Sequence, residues 1–257
     1  MNSLPSLQTN TIVRLPADLL TEPSASRFSG DSTLPCQLET RQELKIRLLS
    51  DHLRLDPVNM LIRERYAWRG YSADGIQQTQ HLITLQATLA ENTVGTISIR
   101  FDNQNGLQLD QLFKTEIDEL RHQGAQLCEF TKLAISGDLQ SRQLTAALFH
   151  IAFICAYRIH QCSDICIEVN PRHVNFYKRM LGFQQLSEAR ENPKIQAPSV
   201  LMSLDLREAA ELIQQFAGKH ELGIKIRSFY PYFFPLAQEQ ELTQRLCSLQ
   251  HTQGLAA

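Results

Sequence analysis

Several things are scarce or missing in this 257-residue chain, and each absence narrows what it can be. No apolar stretch comes near the roughly 20 residues that cross a bilayer as a helix, and the first 30 residues contain no apolar run of signal-peptide length. A membrane-spanning or secreted protein is not expected, and the reducing cytoplasm is the expected compartment. No charge of one sign dominates: the formal net charge is -2. The chain therefore has no general footprint for nucleic acid, and no nucleic-acid partner is expected. None of the six cysteines forms a C-x-x-C pair, and no His-x-x-x-His lies near Cys162 and Cys166 to complete a zinc pattern. No metal site is expected. Cys36, Cys128, Cys155, Cys162, Cys166 and Cys247 read instead as small hydrophobic residues.

What is present is an ordinary globular composition, 43% hydrophobic and 20% charged. Residues 1–42 are rich in Ser, Thr, Pro and Leu without a sustained period and read as a partly ordered arm. A domain is expected over 43–218, and 219–257 read as a C-terminal extension carrying the cluster Phe229-Tyr230-Pro231-Tyr232-Phe233-Phe234.

Within the central region, Lys45–Leu49 reads as a strand. Asp56-Pro57 opens a helix that runs to about Trp68. His81–Ala90 and Val94–Phe101 form a hairpin across the Glu91-Asn92 turn. Leu109, Leu112, Phe113, Ile117 and Leu120 mark one face of a helix over Leu107–Arg121. Leu127–Ile135 and Asp164–Val169 are strands flanking a long apolar helix over Ser141–His160. That arrangement predicts a parallel pair joined by a right-handed crossover. Two antiparallel strands over Gly182–Leu186 and Ser199–Leu206, joined by a charged loop, and a helix over Leu206–Phe216 complete a mixed α/β sheet.

The stretch Val169-Asn170-Pro171-Arg172-His173-Val174-Asn175-Phe176-Tyr177-Lys178-Arg179-Met180-Leu181-Gly182-Phe183 resembles the GNAT acyltransferase pattern of strand, Asn, short helix with Phe-Tyr, then Leu-Gly-Phe. Its fuller form is similar to that of the long-chain N-acyl amino acid synthases of the FeeM type, relatives of the acyl-homoserine lactone synthases. Glu129-Phe130-Thr131-Lys132-Leu133-Ala134-Ile135 resembles a strand shared by both families. Arg63 to Tyr71 resembles their arginine- and aromatic-rich first helix. The likeness covers roughly 43–206.

The resemblance implies a GNAT fold and an N-acyltransferase that moves a medium- or long-chain acyl group to the amine of an amino acid. The donor it implies is acyl carrier protein, through its acyl-phosphopantetheine, or acyl-CoA. No tightly bound cofactor is expected. Rival readings are an acyl-homoserine lactone synthase, an exosortase-associated acyltransferase, and a non-catalytic module that binds acyl chains or their carrier. One departure bears on the donor. CoA-using GNAT enzymes carry a glycine-rich turn before the long helix, where main-chain N–H groups meet the pyrophosphate. Here Leu139-Gln140-Ser141-Arg142-Gln143-Leu144 has no glycine, which favours the carrier protein, whose arm lacks that pyrophosphate.

Attack of an amine on a thioester needs a base, hydrogen bonds to the developing oxyanion, and a proton for the leaving thiolate. Glu129, His173 and Tyr177 are the candidate catalytic groups. Lys132, Leu133, Ala134, Arg142, Asn170 and Arg172 are candidates for holding the donor arm, and Arg63, Tyr66 and Thr131 for the acceptor. Asn170 is equally suited to capping the helix that follows it. Alternation along a strand puts Thr131 on the side of Glu129 and Lys132 on the other. Leu133, Ile135, Leu148, Phe149, Ile151, Phe153 and Ile154 are candidates for lining an acyl tunnel or for plain core. The aromatic tail cluster is a candidate lid, or a site of peripheral membrane contact.

Overall fold

A computed structural model describes residues 10–17, 43–49, 55–67, 70, 75–76, 79, 81–137, 139 and 141–252. Cys36, Trp68, Arg69 and Tyr71 lie outside these. Nine strands form the sheet: β1 (Thr11–Pro16), β2 (Glu43–Leu48), β3 (Leu82–Leu89), β4 (Asn92–Phe101), β5 (Leu127–Ile135), β6 (Asp164–Val169), β7 (Gln184–Gln185), β8 (Arg190–Asn192) and β9 (Ala197–Asp205). Their order is β1-β2-β3-β4-β5-β6-β9-β7, with β8 paired to β9. Among the described residues only β5 and β6 run parallel. The helices are α1 (Leu55–Ala67), α2 (Asp110–His122), α3 (Arg142–Phe153, continuing π-helically over Ile154–Ile159), α4 (Val174–Leu181), α5 (Leu206–Phe216), α6 (Gly223–Ile226) and α7 (Leu236–Thr252). Among the described residues no helix is long and apolar enough to cross a membrane.

The sheet is covered on both faces, so β3 and β4 are buried along almost their whole length, including the polar Thr84, Gln86, Thr96 and Ser98. On one face α1 packs Val58, Leu61 and Ile62 with Ala134, and α2 packs Phe113 and Ile117 with Leu127 and Cys166. On the other face α3, α5 and α7 share one large core with both ends of the chain: Ile12 and Val13 of β1, and Phe229, Tyr230, Phe233, Phe234, Leu242 and Leu246. Packing therefore does not follow the expected boundaries at 42/43 and 218/219. Cys128, Cys155, Cys162 and Cys166 are buried free thiols, as their apolar surroundings suggested.

The tail aromatics are core, which corrects the expectation that they offer a membrane contact. Phe233 is 2% exposed and Phe234 7%. Both stack on the fully buried His150 of α3. The Phe234 N–H donates to His150 Nδ1 at 2.9 Å, so the ring carries its proton on Nε2, which lies 3.1 Å from Glu239 Oε2 of α7. Burial pushes the His150 pKa down, consistent with a neutral ring. Burial opposes ionisation of Glu239, but hydrogen bonds from His150 and Arg158 outweigh it and hold its carboxyl below the ordinary value.

Candidate active site

The local sequence opens a cleft where β5 and β6 meet. Their ladder covers only Leu127–Glu129 against Asp164–Cys166, and beyond it the two parallel strands separate. α3 starts at the mouth of this gap. Ser141 caps it by accepting from the Leu144 N–H at 3.2 Å, a strong start signal. α4 starts at the end of β6, where Asn170 accepts from the Arg172 N–H at 3.1 Å. Gly182 ends α4 in a left-handed conformation, φ 86°, which glycine adopts without cost. The result is a cavity of about 620 Å³ bounded by α1, β5, α3, β6, α4 and the β8 hairpin.

Glu129 lines this cavity and is 4% exposed. Arg100 stands opposite it on β4, and its Oε2 accepts from the Gln108 N–H at 2.9 Å. Burial dominates even so and pushes its pKa up to about 7; Arg100 and the main-chain N–H groups of Gln108 and Leu109 moderate the rise, and Glu168 adds to it. The loop that offers those N–H groups is itself anchored. The Leu107 N–H donates to Asp110 Oδ2 at 2.6 Å, and Arg121 bonds Asp110 at 2.6 Å and Asp102 at 2.7 Å.

A bulge in β5 re-aims the residues just after Glu129. Between the pairs Ser98–Thr131 and Thr96–Ala134, one residue of β4 faces two of β5. Lys132 takes up the extra residue with φ 54°. The alternation shifts, so Ala134 packs with α1, while Leu133 and Ile135 pack against the α3 side. Lys132 therefore lies on the Glu129 side, 6.0 Å from the Tyr66 ring centroid. This corrects the strand-alternation expectation: the bulge costs β5 one residue of register.

Glu129, Thr131, Lys132, Leu133, Ala134, Arg142, Asn170, His173, Tyr177 and Tyr66 all border the cavity. Arg63 and Arg172 do not. Arg63 is exposed on α1, and the cavity-lining arginine of that helix is Arg65. Its guanidinium lies against Gly137, where an added Cβ would come within 2.8 Å of Nη1. Arg172 is exposed and donates to His173 Nε2 at 3.2 Å, so that lone pair is already engaged. Asn170 caps the 3-10 turn Pro171–His173 that leads into α4, and donates to Pro198 O at 3.2 Å. Of the candidate tunnel residues, Leu133, Ile135 and Phe149 line the cavity, whereas Leu148, Ile151 and Ile154 are wholly buried core.

Sequence reasoning missed Glu168. It lines the cavity from β6, its Oε1 accepting from Asn192 Nδ2 at 2.5 Å. Cys166 pairs with Glu129 and packs toward α2, and two residues on, Glu168 falls on the same side. Two carboxylates and the Lys132 ammonium thus share one wall.

A family profile described as N-acyl amino acid synthase FeeM matches residues 57–205, more than half of the chain. The chain belongs to the FeeM family of N-acyl amino acid synthases. The solved structure of FeeM, from uncultured soil microbes, superposes with a TM-score of 0.61 at 25% identity, covering 66% of this chain and 94% of that one. The fold is the GNAT acyltransferase fold, and this FeeM-family chain is an acyltransferase. More distant likenesses are an acyl-CoA N-acyltransferase from Pseudomonas aeruginosa (TM-score 0.46, 15% identity, 62% of this chain and 98% of that one) and the CoA-dependent acyl-homoserine lactone synthase BjaI (0.48, 11%, 72% and 90%). No curated protein matches the chain.

Proposed function

We propose that this FeeM-family chain moves a medium- or long-chain acyl group from the phosphopantetheine arm of acyl carrier protein to the amine of an amino acid, with Glu129 as the base. The observation that carries this reading is a buried carboxyl, displaced to about 7, in the wall of the cleft between the parting strands. A base is most effective when its pKa lies near the working pH.

Glu129 takes a proton from the acceptor's ammonium, directly or through one water. The freed amine attacks the thioester carbon, forming the N–C bond. The oxyanion that develops at the carbonyl is met by hydrogen-bond donors in the cavity wall. The C–S bond then breaks, Tyr177, half-buried beside the cavity, gives the thiolate a proton, and the second proton shed by the attacking nitrogen restores the phenol.

Glu168 beside Glu129 suits the acceptor's ammonium, and Lys132 and Arg65 suit its carboxylate. Arg65 therefore takes the acceptor role assigned to Arg63 from sequence. On the donor side Arg142, exposed at the first turn of α3, suits the phosphate of the arm. The glycine-free approach to α3 supports a carrier-borne acyl group over free acyl-CoA.

The test offers the same acyl chain on acyl carrier protein and on CoA, with each of the twenty amino acids, and follows N-acyl products by mass spectrometry. Amide formed at least tenfold faster from the carrier supports the reading. Equal or better use of acyl-CoA overturns the donor assignment, and acylation of amines without a carboxylate alone overturns the acceptor assignment.

A further inference from the structure

A second, smaller hollow of about 20 Å³ lies behind the large cavity. Its walls are Phe153, Ile165, Leu181, Phe183, Leu204 and Ala209, with Tyr230 and Phe233 from the C-terminal segment. The polar tip of Tyr230 is occupied, since its hydroxyl donates to Leu181 O at 2.7 Å. The hollow is therefore almost wholly apolar and about the size of one water.

Phe130 and Phe149 line both spaces, so these two rings are the partition. Their centroids are 6.5 Å apart. Phe149 is braced by Phe229 at 6.1 Å and by the edge of Tyr177 at 6.4 Å.

The face of α3 orders this arrangement. Ser141, Thr145, Phe149 and Phe153 recur every four residues and so fall on one stripe. Ser141, Arg142, Thr145 and Phe149 line the large cavity, and Phe149 and Phe153 the small one. The stripe thus runs from a cationic, capped helix start to a hydroxyl, then to aromatic rings. A thioester donor has the same polarity along its length: phosphate, polar arm, then apolar chain.

We propose that Phe149, with Phe130, is the stop that sets the longest acyl chain the enzyme accepts. The terminal methyl abuts this aromatic pair, and the apolar hollow behind it is space the chain is denied. The inference rests on the acyl-transfer reading and adds the residue that fixes chain length. From Phe149 to Phe153 the helix rises about 6 Å, the reach of roughly four further methylenes. Each methylene admitted or refused changes binding about fourfold.

The test uses the full-length protein and a competing set of saturated acyl donors from eight to eighteen carbons, with products quantified by mass spectrometry. Phe149→Ala is expected to move the preferred length upward by about four carbons, and Phe149→Trp to move it downward. Phe149→Leu gives a smaller upward move and stands in if the Ala variant does not fold. Phe153→Ala, which enlarges only the smaller hollow, leaves the preference unchanged. Thermal shifts with free fatty acids of the same lengths read the stop without turnover. They decide the proposal even if no donor is used, an outcome that would count against the acyl-transfer reading instead. An unmoved length preference in folded Phe149 variants by both readouts overturns the proposal. So does a Phe153→Ala shift as large as that of Phe149→Ala.

Discussion

Glu129 and Lys132 face the same side of the central sheet, although an interval of three sends residues of a regular strand to opposite faces. The cause is one extra residue in β5, taken up by Lys132 in a left-handed conformation. A lysine held there costs on the order of 1 kcal/mol, a cost consistent with a placed functional group.

That cost makes a first prediction. Lys132→Gly relieves the backbone and is expected to raise the chemical-denaturation midpoint or leave it unchanged. It removes the ammonium, so KM for the acceptor rises with little change in kcat. Lys132→Val, β-branched at positive φ, is expected to lose about 1–2 kcal/mol. Urea titrations of the two variants check the sign.

Glu129 gives a second prediction. Its folded pKa is raised, so between the ordinary 4.5 and about 7 the folded protein binds more protons than the unfolded chain. Stability from this group is present at low pH and lost as pH rises through that window. The displacement corresponds to on the order of 3 kcal/mol at high pH. Glu129→Gln, which still accepts from the Gln108 N–H, is therefore expected to melt above the wild type at pH 8 and beside it at pH 4.5.

Arg121 acts on Glu129 at a distance. It holds Asp102 and Asp110, and Asp110 pins the loop whose N–H groups stabilise the Glu129 carboxylate. Arg121→Met is expected to free that loop, remove hydrogen bonds that favour the charged form, and push the Glu129 pKa higher. The acid limb of the rate profile moves to higher pH, a displacement that a merely destabilised but unshifted site does not produce.

The C-terminal helix gives a fourth prediction. Glu239 joins His150 and Arg158 under α7. Glu239→Ala leaves the buried His150 N–H unmatched and returns the exposed Arg158 guanidinium to water, and is expected to cost about 1–3 kcal/mol, read from urea midpoints. Glu239→Gln, which keeps one acceptor, is expected to cost less.

Much of the fold was legible in the chain. β5, β6 and α5 run where the sequence placed them, because each is fixed by local signals: burial on both faces, or, for α5, the Asp205 carboxylate accepting from the Arg207 N–H at 2.7 Å. The parallel pairing of β5 with β6 followed from the crossover between them. Four elements went unread, the one-turn α6 among them. β1 lies in a stretch without period and takes its shape from pairing with β2. β8 is three polar residues shaped by β9. α7 did carry a signal, Leu242, Leu246 and Leu249 at helical spacing, but the neighbouring aromatics obscured it. Within the site, the bulge at Lys132 is a tertiary event without a glycine to announce it. The choice of Arg65 over Arg63 depends on how far α1 is rotated on the sheet.

The most direct test of Glu129 as the base is the initial rate of N-acyl amide formation from about pH 5.5 to about pH 9, for the wild type and Glu129→Gln, with saturating donor and amino acid. The expected result is a wild-type rate that rises with pH and levels off near 7, and a variant at least about 100-fold slower at pH 8 with that limb gone. A Glu129→Gln variant that forms amide at the wild-type rate with the same limb would contradict it.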